Sequence, residues 1–383
     1  MSGPAAPPPG STGTGTAASA GAPDALPGRF PADAPAADAP GAGPPAQGPA
    51  TDRPPATPPA RAPLGGGPDA RCGLVAVVGA PNAGKSTLVN ALAGSKVSIV
   101  SPKPQTTRFR IRAVVMHAGA QLVLVDTPGI FAPRRRLDRA MVAAAWGGAR
   151  DADLTLLIVD ARAGLTDPVR AILEKLAKGA PKANAPKANA PKASPPEARQ
   201  RVWLALNKVD LIPPQRLLPL AAEINTLLPL DETFMISAET RSGLDRLLDR
   251  LAAAMPPGPY LFPEDELSDL PNRMLAAELV REQILRQTHE EVPHHATVET
   301  EAWQERKDGS VRVDCTIYVG RATQKAILIG DGGARIKEIG QKARRELEAL
   351  LDRRVHLFLN VKDRPGWDEE RGRIRALGLE DEG

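Results

Sequence analysis

One segment limits the fold more than any other: Gly79-Ala80-Pro81-Asn82-Ala83-Gly84-Lys85-Ser86-Thr87. It follows a short apolar run, Leu74–Val78, and leads into a helix-like stretch, Ser86–Leu92. A GxxxxGK[ST] pattern between a strand and a helix is a phosphate-binding loop. Gly79 and Gly84 allow a tight turn whose amides point inward at phosphate oxygens. The start of the helix adds its positive end. In such a loop Lys85 is expected to reach the β- and γ-phosphates, and Ser86 to hold Mg²⁺.

The downstream pattern agrees with that start. Val114–His117 and Leu122–Val125 read as a strand pair turning near Gly119, and Leu154–Val159, Val202–Leu206 and Thr233–Ile236 read as buried strands. Helical stretches fall at about 134–146, 167–177, 215–228 and 243–254. The alternation predicts an α/β domain with a mostly parallel sheet. Three further motifs follow strands, where an open parallel sheet has its mouth. Asp126-Thr127-Pro128-Gly129 offers a carboxylate for the metal and a glycine amide for the γ-phosphate. Asn207-Lys208-Val209-Asp210 offers an acceptor pair, on Asp210, for the N1 and N2 donors of guanine, which adenine would leave unsatisfied. Asn207 can bridge the loop and the base, and the Lys208 stem can cover the ring. Ser237-Ala238 follows the last strand, and the Ala238 amide can meet the guanine oxygen. These features predict GTP and GDP, with Mg²⁺, as ligands.

Gln105-Thr106-Thr107-Arg108 lies where a mobile segment would close over the γ-phosphate. One threonine, Thr106 or Thr107, should contact metal or phosphate. The expected metal set is Ser86, Asp126 and Thr107, and the expected catalytic set is Lys85, Thr106, Thr107 and Gly129. Ile130 stands where many small GTPases carry a water-positioning glutamine. Isoleucine makes no hydrogen bond, so intrinsic GTP hydrolysis should fall well below about 1–100 s⁻¹.

The second half has another logic. Asn272–Thr288 reads as a helix, His294–Val298 and Val311–Val319 as strands, Lys325–Ile329 and Ala334 to about Leu350 as helices, and Val355–Val361 as a strand. The order is α-β-β-α-α-β, an α+β arrangement. A short helix meets the next one at Gly330-Asp331-Gly332-Gly333, a Gly-x-x-Gly turn that lets a nucleic-acid backbone come close, as in a KH domain. Lys325, Ile329, Arg335, Ile336 and Lys337 flank it and complete a predicted RNA-binding set. Residues 320–364 carry eleven basic and six acidic side chains, so the local charge suits RNA although the net charge is only +4.

Composition sets the outer limits. Residues 1–70 hold 18 of the 40 prolines and 12 of the 34 glycines, with too little apolar surface to order a core, and are expected to be a disordered arm. Residues 178–198 contain an APKAN repeat and read as a low-complexity insertion. The expected division is a GTPase domain over 71–256, a linker over 257–270 and a KH domain over 271–383. Two cysteines exclude a disulfide scaffold, and the absence of a long apolar run or a basic leader makes a cytoplasmic location the expectation.

Taken together, the chain resembles the Era family of bacterial GTPases, within the TrmE-Era-EngA class. The likeness runs from about residue 72 to 380 outside the insertion. It rests on GAPNAGKST, QTTR, DTPG, NKVD and SAET, on FPEDELSD at 262–269, on IGDGGARIKEIG, and on PGWDEE at 365–370. The resemblance implies a Ras-like P-loop GTPase domain followed by a type II KH domain. It implies a switch that binds the 3′ region of small-subunit (16S) ribosomal RNA and assists maturation of the small ribosomal subunit. It also implies a monomer, with peripheral association at the cytoplasmic face of the inner membrane, and potassium near Asn82 as a further ion. Asp331 departs from the family's basic residue in the clamp and should weaken phosphate attraction locally. The alternative is a regulatory or tRNA-modification GTPase whose carboxyl-terminal domain binds a protein or another RNA. Intact Lys85, Asp126 and Asp210 argue against an RNA binder with a dead nucleotide site.

Overall fold

The computed structural model describes residues 65–67, 69–178, 201–288 and 292–380. The amino-terminal arm and almost all of the 178–198 insertion lie outside the described residues. A six-stranded sheet is ordered β2-β3-β1-β4-β5-β6. The strands are β1 (Arg71–Gly79), β2 (Ile111–His117), β3 (Ala120–Asp126), β4 (Leu154–Asp160), β5 (Arg201–Asn207) and β6 (Glu232–Met235). Only β2 runs antiparallel, against β3; the other neighbours are parallel. The central strands are apolar on both faces because helices cover both. Val75, Val77, Leu154, Leu156 and Ile158 sit in one core cluster and Ala76, Val78, Leu157 and Val159 in the other.

The helices are α1 (Lys85–Ala93), α2 (Arg136–Asp151), α3 (Asp167–Ala177), α4 (Leu217–Leu227) and α5 (Leu244–Ala254). In α5 the buried residues Leu244, Leu247, Leu248 and Leu251 recur at helical spacing and close one core cluster. At the start of α3, Asp167 and Pro168 suit a helix amino terminus, where charge meets the dipole and a missing N–H costs nothing. β1, β3, β4 and β5 are longer than their apolar runs because residues at their ends still pair in the ladder, as Asp126 does with Ile111, whereas β6 keeps the expected four-residue length but begins and ends one residue earlier.

Beyond α5 the chain does not leave the sheet at once. The Leu261 and Phe262 amides donate to Gln121 Oε1, and Val114 N donates to Leu267 O. This stretch covers the exposed edge of β2, an edge that would otherwise invite strand pairing. A three-stranded sheet, β7-β8-β9, follows. Its order is α6 (Asn272–Gln287), β7 (Ala296–Glu305), β8 (Val311–Val319), α7 (Ala322–Ile329), α8 (Ala334–Leu351) and β9 (Val355–Asp363). This is the predicted α-β-β-α-α-β order, with β7 antiparallel and β9 parallel to β8. β7 begins at Ala296, not His294, because Val292–His295 forms a 3₁₀ turn, and it runs on to Glu305.

The carboxyl-terminal segment was not anticipated as structure. A 3₁₀ turn at Trp367–Glu369 and helix α9 (Arg371–Ala376) follow β9. Trp367, Ile374 and Leu379 pack in the same core cluster as Leu137 and Met141 of α2, apart from the core under the three-stranded sheet. Trp367 is fully buried and its indole N–H donates to His295 O at 3.0 Å. Trp367→Ala should therefore cost about 3–5 kcal/mol of stability. A urea titration of the full chain measures this; a change below about 1 kcal/mol would contradict the packing role.

Candidate nucleotide site and RNA clamp

The nucleotide site is built where β1, β3, β5 and β6 end. Gly84 caps α1 in the left-handed region, at φ 94°, and a Cβ there would lie 2.3 Å from Asn207 Nδ2. Only glycine lets these two loops close together. Asn207 itself is buried, donates to Ala83 O at 2.9 Å and accepts from Ala238 N at 3.0 Å. One side chain thus ties the phosphate loop to the loop after β6. The Ala238 amide, expected at the guanine oxygen, is engaged by Asn207.

Lys208 extends along the loop and donates to Asn82 O at 2.7 Å and to Asp160 Oδ2 at 2.6 Å. Asp160, at the end of β4, was not singled out in the sequence, where it reads as an ordinary strand-end carboxylate. Asp210 is exposed on the 3₁₀ turn Val209–Leu211, and Val209 N donates to Ile236 O. Ser237 Oγ accepts from Thr240 N and shapes the last loop. A cavity of 430 Å³ lies between the phosphate loop, Gln105-Thr106-Thr107, Gly129 and Lys208. Its volume is that of an ordinary small-ligand site.

Lys85, Ser86 and Thr107 line this cavity, and the buried Asp126 lies behind them. Lys85 donates to Gly79 O and Ala80 O at 3.2 and 3.0 Å. Burial pushes its amine down to about 8, while Asp126 pulls the other way. Ser86 Oγ and Thr107 Oγ1 are 2.7 Å apart, and Thr107 Oγ1 donates to Asp126 Oδ2 at 3.3 Å. Asp126 is wholly buried, its carboxyl pushed up by desolvation, and its Oδ1 has no hydrogen-bond partner. Three oxygens of a serine, a threonine and a carboxylate, with one acceptor left bare, are a donor set for a hard cation, and Mg²⁺ fits it. Held there by Ser86, Thr107 and Asp126, such an ion would supply charge neutralisation for bound phosphates.

Of the two threonines, Thr107 turns its hydroxyl into this cluster. Thr106 lines the cavity but donates its hydroxyl to Lys103 O at 2.7 Å. Thr127 is buried and donates to Val77 O, which fixes the backbone after Asp126. Ile130 packs in a core cluster with Ala76, Val78 and Trp146, and its amide donates to Gly79 O at 3.1 Å. Its side chain has no part in positioning water.

The second constellation lies on α7 and α8. Gly330 and Gly333 have φ of 71° and 81°, which turns the chain between the helices with Asp331 and Gly332 exposed at the tip. Arg335 Nη1 donates to Ile327 O at 2.7 Å, and Lys337 is exposed one turn along. Lys325 lies 3.7 Å from Asp363. Ile329 and Ile336 are half-buried against the core, and Ile327 is exposed, so an apolar strip runs beside the turn.

A phosphate loop at the head of a mostly parallel sheet, joined to a Gly-x-x-Gly turn in an α-β-β-α-α-β frame, defines a P-loop GTPase that carries a KH domain. Comparisons with known proteins agree. A family model described as 50S ribosome-binding GTPase matches residues 74–190, and a KH domain model matches residues 291–367. GTPase Era of Bradyrhizobium sp. is 51% identical over 316 residues, covering 82% of this chain and 96% of that protein. GTPase Era of Brucella suis is 51% identical over 310 residues, covering 81% and 94%. Two solved structures are each 38% identical with a TM-score of 0.72. One is Era in complex with MgGDPNP and nucleotides 1506–1542 of 16S ribosomal RNA, with 80% of this chain and 98% of that chain covered. The other is an Aquifex aeolicus Era variant bound to GDP·AlF4⁻, with 80% and 99% covered. The chain belongs to the Era GTPase family.

The lowered Lys85 value has a measurable consequence. Near pH 8 the bare site holds a partly neutral amine, and a bound polyphosphate favours the charged form. Nucleotide binding should take up a proton at pH 8. Affinity should fall as pH rises from 7 to 9, by up to about tenfold per unit above pH 8. Calorimetry in two buffers of different ionisation enthalpy measures the uptake; none at pH 8 would contradict it.

Proposed function

We propose that the protein is a GTP-binding and GTP-hydrolysing switch that grips the 3′ region of small-subunit ribosomal RNA and assists maturation of the small subunit. The observation that carries this reading is the presence, in one chain, of a buried oxygen cluster at the end of a phosphate loop and a glycine clamp on a basic helix. In this reading Lys85 meets the β- and γ-phosphates, and Ser86, Thr107 and Asp126 hold Mg²⁺. The Gly129 amide meets the γ-phosphate, and Asp210 accepts from guanine. Asn82, whose carbonyl already serves Lys208, is the residue beside which potassium would sit.

Hydrolysis is slow, because Ile130 belongs to the core and orients no water. That suits a timer better than a metabolic enzyme. RNA backbone passes over Gly330–Gly333, with Arg335, Lys337 and Lys325 supplying charge and Ile327, Ile329 and Ile336 an apolar bed for bases. Asp331 at the exposed tip lowers the local attraction, so the flanking bases carry more of it. The protein acts as a monomer in the cytoplasm. Its contact with the inner membrane, peripheral at most, draws on the same basic face of α8. Among the described residues no helix is long and apolar enough to cross a membrane.

Filter binding with an RNA ending in the small-subunit 3′ tail tests the reading. Gly333→Asp places a negative side chain on a left-handed residue of the clamp and should weaken binding by about tenfold or more, with GTP affinity unchanged. Equal RNA binding by the two proteins would defeat the RNA role and favour a carboxyl-terminal domain that binds protein.

A further inference from the structure

The segment that carries Thr107 is not held by the GTPase half alone. Arg281, on α6 of the second domain, is 1% exposed. Its guanidinium donates to Glu278 Oε1 at 2.7 Å on the same helix, to Gln105 O at 3.4 Å and to Thr106 O. On the other side of Thr107, the equally buried Arg108 points the opposite way, into the second domain. It donates to Ala296 O at 2.9 Å and to His294 O at 3.4 Å, and lies 5.4 Å over the Trp367 ring. The two bodies exchange arginines across the residue between them. Gln105 sits at φ 61°, a conformation that persists only where its surroundings hold it.

Thr107 is therefore fixed at both ends by groups of the second domain, while its hydroxyl points at Ser86 and Asp126. We propose that Arg281, paired with Glu278, is a positioning residue of the nucleotide site: it holds the Gln105–Thr106 carbonyls so that Thr107 presents its hydroxyl to the metal. The second domain thus completes the metal-facing wall of the first. GTP needs that wall, because its γ-phosphate and ion engage the closed segment. GDP needs it little. The proposal rests on reading Thr107 as the metal-facing threonine, and the variants below separate the two.

The test uses the full chain, a fluorescent non-hydrolysable GTP analogue, GDP, and stepped Mg²⁺. Arg281→Gln should lower the ratio of analogue to GDP affinity by about tenfold and raise the Mg²⁺ needed for half-maximal analogue binding. The Glu278→Gln, Arg281→Gln pair should do the same without leaving a buried charge unpaired, which keeps the result readable if the single variant unfolds. In a Thr107→Ala background, neither should change the ratio further. An unchanged ratio in the folded double variant, or effects that add to those of Thr107→Ala, would overturn the proposal. If Thr107→Ala itself left the ratio and the Mg²⁺ dependence as they were, the metal-site reading would fall instead.

Discussion

A single carboxylate organises the site. Asp126 ends β3, wholly buried, one oxygen bound by Thr107 and the other bare. A buried carboxylate is unfavourable unless paired or bonded to a cation. Here its charge is offset in part by the Lys85 amine, itself lowered by burial. Each group costs the other less than it would cost alone, and Asp126 Oδ1 is left without a hydrogen bond. A polyphosphate with a divalent ion satisfies both at once. The phosphate loop, the Thr107 segment and Gly129 are arranged around that pair.

The second domain shares in the arrangement. Ten consecutive residues of α6, from Ala276 to Leu285, are buried, among them Glu278, Arg281 and Glu282. A buried charge is costly unless it is paired and hydrogen-bonded, and these have partners. Glu282 accepts from Val100 N at 3.1 Å and from Arg286 at 2.9 Å, and it pairs with Lys96. Lys103 donates to Leu285 O and Thr288 O at the end of the same helix, where carbonyls lack helical partners. The loop from Ser95 to Arg108 is threaded between two bodies by ion pairs and carbonyl bonds. Burial pushes the Arg108 guanidinium down, helped by the nearby Arg281, because little water reaches this seam.

Much of this was legible in the sequence. Short, β-branched-rich runs such as Leu154–Val159 fit strands covered on both faces, and the motif residues at their ends fall together because parallel strands share one mouth. The choice between Thr106 and Thr107 was not legible, since adjacent residues in an irregular loop carry no periodicity. Nor were the buried charges of α6. Met274, Leu275, Leu279 and Ile284 mark a helix, but charged residues such as Glu278, Arg281 and Glu282 carry no sign in the sequence that tertiary packing buries them. Asp160 gave no signal because its partner Lys208 is 48 residues away. The turn and helix after Pro365 are too short for any pattern to stand out, although their apolar residues anchor the chain's end in the core.

With Asp126 holding the ion, nucleotide binding should depend on a divalent cation through this one carboxylate. The most direct measurement is the affinity of full-length protein for a non-hydrolysable GTP analogue, with and without Mg²⁺, in the native chain and in Asp126→Asn. Mg²⁺ should strengthen binding to the native chain, and the substitution should remove most of that gain. If the Asn variant gained as much from Mg²⁺ as the native protein, the oxygen cluster beneath the phosphate loop would not be the metal site.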